Sequence, residues 1–245
     1  MKIYFLSDAH LGYPTYEESL VREKKIVRWL DEVSKDADEI WLLGDIFEFW
    51  FEWKRVVPKG FLRILGKICQ LTDQGIPIHF YTGNHDLWVF DYLHRETGMI
   101  LHRQPVSKEY NGKKFYIAHG DGLGDYDKKY NAMKFFFTSR FFQKVLSFLH
   151  PNFTMKVAHA WAGSSKYNKA GAAYFGDNKE WLMLYSKEIL KTQHFDYFVY
   201  GHRHLMFDKP LSENSRCINL GEWINLFTYA VFDGKELYLK EYLEN

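Results

Sequence analysis

Short apolar runs alternate with segments of helical spacing in the first half of the chain. Residues 3–6, 40–43 and 77–81 are apolar runs of strand length. Between them, residues 17–33 and 61–71 carry apolar side chains three and four positions apart, which predicts helices. The order strand, helix, strand, helix, strand predicts a largely parallel sheet with helices on its faces.

The second half of the chain has a different pattern. Residues 106–118 and 229–242 each contain two strand-like runs around a turn dipeptide, Asn111-Gly112 and Asp233-Gly234, which predicts antiparallel hairpins. A mainly helical stretch lies between the two hairpins and ends before the apolar run 197–200.

The helical stretch interrupts the strands, and we interpret it as an insertion. We predict a cap or lid over residues 128–193, inserted into one domain formed by residues 1–127 and 194–245. A length of 245 residues, with 47% hydrophobic residues, fits one globular domain with a sizeable insertion.

Composition excludes several classes of protein. The two cysteines are far apart in apolar runs, so neither a disulfide framework nor a thiolate metal site is expected. A net charge of +1 gives no reason to expect nucleic-acid binding. The chain begins as a buried strand, and no apolar run reaches the length of a transmembrane helix. We therefore predict a cytoplasmic protein; the oligomeric state has no signal in the sequence.

Polar clusters follow five of the predicted strands. They read Asp8-Ala9-His10, Gly44-Asp45, Gly83-Asn84-His85-Asp86, Ala118-His119-Gly120-Asp121 and Gly201-His202-Arg203-His204. Residues beyond the carboxyl ends of strands in an open sheet converge on one crevice. Carboxylate, amide and imidazole groups without thiolate suit Mn²⁺, Fe²⁺, Zn²⁺ or Co²⁺. The candidate ligands exceed what one catalytic ion needs, so we predict two divalent ions held by Asp8, His10, Asp45, Asn84, His119, His202 and His204.

These five motifs, in this order, resemble the pattern of the calcineurin-like metallophosphoesterases across residues 8–204. The resemblance implies an α/β fold in which mixed sheets form a sandwich flanked by helices. It also implies one ion held by Asp8, His10, Asp45 and His204, with Asp45 bridging to a second ion held by Asn84, His119 and His202.

The family resemblance also implies a mechanism. Two cations beside a phosphorus centre neutralise phosphate charge and acidify a water molecule, which suits phosphoester hydrolysis. The catalytic set implied is Asn84, His85 and Asp86: His85 would protonate or stabilise the leaving oxygen, and Asp86 would orient His85.

Two alternatives to a catalytic metal site fit the same residues. Asp, Asn and Gly are common in turns after strands, and a protein can keep an enzyme's fold as a binding scaffold. Five motifs in family order, without a departure at any of the predicted ligands, favour an enzyme.

The stretch from Lys128 to Gly176 contains no Asp or Glu. Its cationic residues are Lys128, Lys129, Lys134, Arg140, Lys144, Lys156, Lys166 and Lys169, and they are interleaved with phenylalanines. For most of these aromatic side chains we expect packing against the main domain. The absence of acidic residues nevertheless favours an anionic amphipathic substrate or a membrane surface as partner.

A closer resemblance is to the UDP-2,3-diacylglucosamine pyrophosphatases of lipid A synthesis in Gram-negative bacteria. It rests on Gly44-Asp45-Ile46-Phe47-Glu48, on the spacing of Asp127 and Tyr130 after residues 119–123, and on the lysines that follow Ser164-Ser165. It implies cleavage of a nucleotide-sugar lipid to UMP and lipid X by a peripheral protein on the cytoplasmic face of the inner membrane, with Mn²⁺ as cofactor. The substrate-binding residues implied are Asp127, Tyr130, Ser165, Lys166, Lys169 and His202.

One residue departs from that family. His85 stands where the enterobacterial members have Arg. Arg offers a permanent bidentate charge to a diphosphate, whereas His can transfer a proton. The alternative function is therefore that of a soluble phosphoesterase acting on nucleotides or other small phosphoesters.

Overall fold

The structure is a computed structural model, and it describes residues 1–124, 128–164 and 174–243. Within these residues the strands are β1 (Ile3–Leu6), β2 (Glu39–Leu43), β3 (Ile78–Tyr81), β4 (Ile100–His102), β5 (Val106–Tyr110), β6 (Lys113–Ile117), β7 (Tyr197–Tyr200), β8 (Met206–Ser212), β9 (Ser215–Leu220), β10 (Thr228–Phe232) and β11 (Leu237–Glu241). The helices are α1 (Tyr16–Val33), α2 (Leu62–Asp73), α3 (Tyr92–Thr97), α4 (Lys128–Thr138), α5 (Arg140–Phe148), α6 (Pro151–Ser164) and α7 (Trp181–Leu190).

The strands form two mixed sheets. The first has the order β11-β10-β1-β2-β3-β4, in which β1 to β4 run parallel and β10 pairs antiparallel with both β1 and β11. The second has the order β5-β6-β7-β9-β8, with a parallel centre and an antiparallel strand at each edge. The predicted α/β class, with mixed sheets flanked by helices, is confirmed.

The two sheets pack face to face around aromatic side chains. The Phe115 ring lies 6.1 Å from that of Phe5 and 5.1 Å from that of Phe232, so it joins the two sheets. Along β1, Ile3 and Phe5 face this inter-sheet core, whereas Tyr4 and Leu6 face the helices. Burial on both faces explains why the strands appear as uninterrupted apolar runs in the sequence.

Helices cover the outer face of each sheet. Helices α1 and α2 pack on the first sheet through Ile26, Leu30 and Ile68. Helix α7 lies inside the predicted insertion, yet its buried residues belong to the core of the second sheet. The Ser186 hydroxyl on α7 is 2.9 Å from the Tyr200 hydroxyl of β7. The boundaries of the cap stay a prediction.

Most of the phenylalanines described in α4 to α6 do not pack on the main domain, so the expectation of core packing was wrong for them. Of the seven phenylalanines described in α4 to α6, five are exposed: Phe135, Phe136, Phe141, Phe148 and Phe153. Leu146, Met155 and Ala158 instead pack against Phe49, Phe51 and Trp53 of the main domain. Phe137 is the exception, because its ring lies 5.8 Å from that of Trp88 in the main domain.

Candidate metal centre

The predicted ligands meet in one crevice, at the ends of strands from both sheets. A first group consists of Asp8, His10, Asp45 and His204, and a second of Asp45, His119 and His202. In each group, one potential ligand atom per residue lies within 4.8 Å of the others. The Asn84 side-chain oxygen lies 3.4 Å from Nε2 of His119. All seven residues predicted from the sequence are therefore brought together.

Asp45 belongs to both groups. Its Oδ2 lies 3.8 Å from Nε2 of His10 and 3.3 Å from Nε2 of His119. Its other oxygen, Oδ1, accepts a hydrogen bond of 2.8 Å from the backbone N–H of His85. This bond fixes the carboxylate between the two imidazoles, as a ligand shared by two ions requires.

Hydrogen bonds on the far side orient two of the imidazoles. Nδ1 of His119 is 2.7 Å from the backbone carbonyl of Leu43, which can only accept, so Nδ1 carries the proton. Nδ1 of His10 is 2.8 Å from a carboxylate oxygen of Glu48. In both residues Nε2 faces another candidate ligand, His204 for His10 and Asn84 for His119, as metal binding requires. The sequence reasoning gave Glu48 no role, although Glu48 ends the motif Gly44-Asp45-Ile46-Phe47-Glu48.

The backbone is strained at most of these positions. Five of the seven candidate ligands have φ in the left-handed region, from 44° to 66°: Asp8, His10, Asp45, His202 and His204. Residues other than Gly rarely adopt this conformation, which costs about 1–3 kcal/mol each and persists where the surrounding structure enforces it. The fold thus directs these side chains into the crevice at a cost in stability.

Two motif glycines are required by close approach to the carboxylates. A Cβ on Gly83 would lie 2.2 Å from Oδ1 of Asp45, and one on Gly201 would lie 2.5 Å from Oδ2 of Asp8. Neither carboxylate could keep its position beside a larger residue.

The electrostatics of the crevice favour cations. Burial lowers the pKa of His10, but the neighbouring carboxylates of Asp8, Glu48 and Asp45 outweigh burial and raise the pKa to about 10. Burial likewise lowers the pKa of His119, but the charge of Asp45 raises it to about 10. Buried carboxylates therefore hold protons on these imidazoles where no metal cation balances the charge. The donor set and its charge both fit divalent ions.

The pKa of His202, a partly buried residue, shifts in the opposite direction from those of His10 and His119. Burial and the neighbouring charge of His119 lower the pKa of His202 to about 4. Its imidazole is therefore neutral near neutral pH, which is the state that binds a metal.

Asp86 and His85 have different surroundings. Burial and the charge of Asp45 raise the pKa of Asp86 to about 7. The Asp86 carboxylate accepts hydrogen bonds from the backbone N–H groups of Gly83 at 2.6 Å and Ile46 at 2.9 Å, which ties two ligand loops together. The His85 ring is held by Glu48, whose carbonyl oxygen lies 3.0 Å from its Nδ1. The catalytic roles of His85, Asn84 and Asp86 stay predictions.

Of the predicted substrate-binding residues, Tyr130 and His202 are neighbours, with ring centroids 6.2 Å apart. The Tyr130 hydroxyl donates a hydrogen bond of 2.6 Å to Asp121. Asp127, Ser165, Lys166 and Lys169 lie outside the described residues.

Comparison with known proteins finds relatives along the whole chain. A family model described as calcineurin-like phosphoesterase matches residues 1–206, which include all the ligand loops. A protein named UDP-2,3-diacylglucosamine hydrolase from Porphyromonas gingivalis is 36% identical over 255 residues, covering 98% of this chain and 97% of its own. A protein of the same name from Salmonella schwarzengrund is 29% identical over 228 residues and covers 91% of each chain.

The raised pKa values of His10 and His119, both about 10, predict that metal binding releases protons near neutral pH. A cation must displace these protons, so Mn²⁺ affinity should rise with pH, with about one proton released per ion. Titration calorimetry of the metal-free protein in buffers of different ionisation enthalpy measures this release. A binding enthalpy that does not depend on the buffer would contradict the prediction.

Proposed function

The chain belongs to the calcineurin-like phosphoesterase family and is a hydrolase, and from this premise we propose that it cleaves the pyrophosphate bond of UDP-2,3-diacylglucosamine. The products would be UMP and lipid X. Two divalent ions would serve as cofactors, and we propose that they are Mn²⁺. The observation that carries the proposal is the position of Asp45 between two groups of candidate ligands. The names of the relatives supply the substrate.

The residues of the crevice have different roles in the proposed hydrolysis. Asp8, His10, Asp45 and His204 would hold one ion, and Asp45, Asn84, His119 and His202 the other. When bound, such ions neutralise phosphate charge and acidify a water molecule. His85 would donate a proton to the departing phosphate oxygen through Nε2, since Nδ1 faces Glu48.

The exposed surface of α4 to α6 supports an amphipathic anionic substrate. Phe135 and Phe148 are each 80% exposed and Phe141 is 77% exposed, on helices that contain no acidic residue. Exposed Arg140 and Lys144 lie on the same helix as Phe141 and Phe148. A surface of this kind attracts phosphates together with acyl chains.

We extend the proposal to a peripheral site on the cytoplasmic face of the inner membrane. Along the described parts of the chain, no helix combines the length and the apolar character needed to span a bilayer. Contact would instead be through the exposed phenylalanines and the cations of the cap. Substrate binding is assigned to Tyr130 and His202, together with Asp127, Ser165, Lys166 and Lys169.

Supplying UDP-2,3-diacylglucosamine in detergent micelles with Mn²⁺ tests the function. We expect UMP release, measured by chromatography, that stops when a chelator is added. A small aryl phosphodiester is assayed in parallel. Its turnover without any UMP release would support a soluble phosphoesterase of nucleotides or small phosphoesters instead. Turnover of neither compound by metal-loaded protein would support a binding scaffold.

Substitutions in the crevice should differ in severity. His85→Ala should lower kcat by about 10²–10⁴-fold, as loss of a proton donor does. Asp45→Ala should lower kcat further, because Asp45 faces both ligand groups whereas His85→Ala leaves both intact. Steady-state kinetics measure both, with Asp31→Ala as control, since the Asp31 side chain is 53% exposed on α1. Near-normal turnover by the Asp45→Ala enzyme would rule out the assignment.

Membrane contact predicts a loss of vesicle binding when apolar side chains are removed from the cap. Replacing Phe141 and Phe148 together by Ser should weaken binding to vesicles of anionic phospholipid by about tenfold or more, because burying one Phe contributes about 1.5–3 kcal/mol. Co-sedimentation measures binding, and Tyr238→Ser, at a position 46% exposed on β11, is the control. Equal binding by the double variant and the wild type would contradict membrane contact through these residues.

A further inference from the structure

Two ion pairs, each formed around a buried carboxylate, join the metal crevice to helices α4 and α7. Lys134 of α4 pairs with Asp121, which lies two residues after the candidate ligand His119, at 2.6 Å. Arg203, which lies between the candidate ligands His202 and His204, pairs with Glu180 at the start of α7. The sequence reasoning counted Lys134 among the cationic residues of the predicted cap and gave the other three residues no role.

The first pair is built around one carboxylate. The Asp121 side chain is 1% exposed, and it accepts hydrogen bonds of 2.6 Å from both the Tyr130 hydroxyl and the Lys134 ammonium group. Tyr130 and Lys134 are four residues apart, so both project from one face of α4. Helix α4 thus holds the loop that carries His119.

The second pair is bidentate. Nε and Nη2 of Arg203 donate to the two carboxylate oxygens of Glu180, at 2.9 Å and 3.2 Å. Glu180 is fully buried, and the Phe175 ring lies 5.1 Å from the guanidinium carbon of Arg203. Removing one partner would leave an uncompensated buried charge, which is strongly destabilising.

Arg203 holds a strained loop. Its neighbours His202 and His204 have φ values of 66° and 52°, in the region that residues other than Gly rarely adopt. Such a conformation persists only where contacts around it enforce it. The bidentate hydrogen bonds from Arg203 to Glu180 are contacts of this kind, and they hold the backbone between His202 and His204.

The geometry points to Lys134 and Arg203 as positioning residues that couple the start of the cap and the start of α7 to the metal centre. Three candidate ligands, His119, His202 and His204, lie on loops held by these pairs. Contacts of α4 and α7 thus stabilise the ligand arrangement, and by linkage cation binding stabilises those contacts in turn. This inference rests on the metal centre of the proposed function.

The test measures Mn²⁺ affinity in metal-free, full-length protein, with free Mn²⁺ followed by electron paramagnetic resonance. Lys134→Met and Glu180→Gln should each raise the Kd for Mn²⁺ by about tenfold or more, as loss of a residue that supports metal ligands does. Lys134→Arg keeps the charge and should stay close to wild type. Glu188→Gln is the matched control, because Glu188 lies on the same helix as an exposed partner of Lys191 at 2.7 Å.

Hydrogen exchange separates coupling from a general loss of stability. In the wild type, Mn²⁺ should slow amide exchange in α4 and in the first turn of α7 by about fivefold or more, and this protection should be lost in Glu180→Gln. If Glu180→Gln does not fold, Arg203→Lys keeps the charge, loses the bidentate hydrogen bonds and should still raise the Kd.

The outcomes distinguish the two claims. The coupling would be overturned if the wild type binds Mn²⁺ and the variants bind it with a Kd within twofold of the wild-type value. It would also be overturned if Glu188→Gln changes the Kd as much as Glu180→Gln does. Either result would leave the proposed function standing. Wild type that binds no Mn²⁺ would overturn both.

Discussion

Buried negative charge is the constraint around which the crevice is built. Asp8 and Asp45 are at most 1% exposed, and one oxygen of each lies within 4.8 Å of the other. Two carboxylates this close, with no solvent to screen them, repel each other strongly. Positive charge must therefore be supplied, by protonated imidazoles in the metal-free chain and by cations in the metal-loaded one. The left-handed backbone at the ligands and the glycines packed against the carboxylates both serve this arrangement.

Under the proposed function, the cap complements the crevice chemically. The main domain supplies carboxylates and imidazoles that suit cations, whereas α4 to α6 supply Lys and Arg without any Asp or Glu, which suit phosphate. The pyrophosphate bond of the proposed substrate would bind at the main domain, and its acyl chains would contact the exposed phenylalanines of α4 to α6. Asp121 accepts a cationic side chain from α4, and Glu180 at the start of α7 accepts Arg203 of a ligand loop, so the two carboxylates join the crevice to these two helices.

Much of this architecture could be predicted from the sequence. Local apolar runs show where the strands end, and the polar side chains that follow them indicate the metal ligands. The hairpin at Asn111-Gly112 is found where its turn dipeptide indicates. Strands β8 and β9 were not predicted, since their turn lacks such a dipeptide and alternating exposure weakens the apolar signal of β8. Glu48 and Arg203 were missed for a different reason: their roles depend on partners that are close in space but distant in sequence, which no local pattern reveals.

The most direct test of the account is anomalous diffraction from crystals soaked in Mn²⁺. The account predicts two anomalous peaks, about 3.5–4 Å apart, one on each side of the Asp45 carboxylate. His10 and His204 should contact one peak, and His119 and His202 the other. A single peak, or peaks that do not share Asp45, would contradict the central claim.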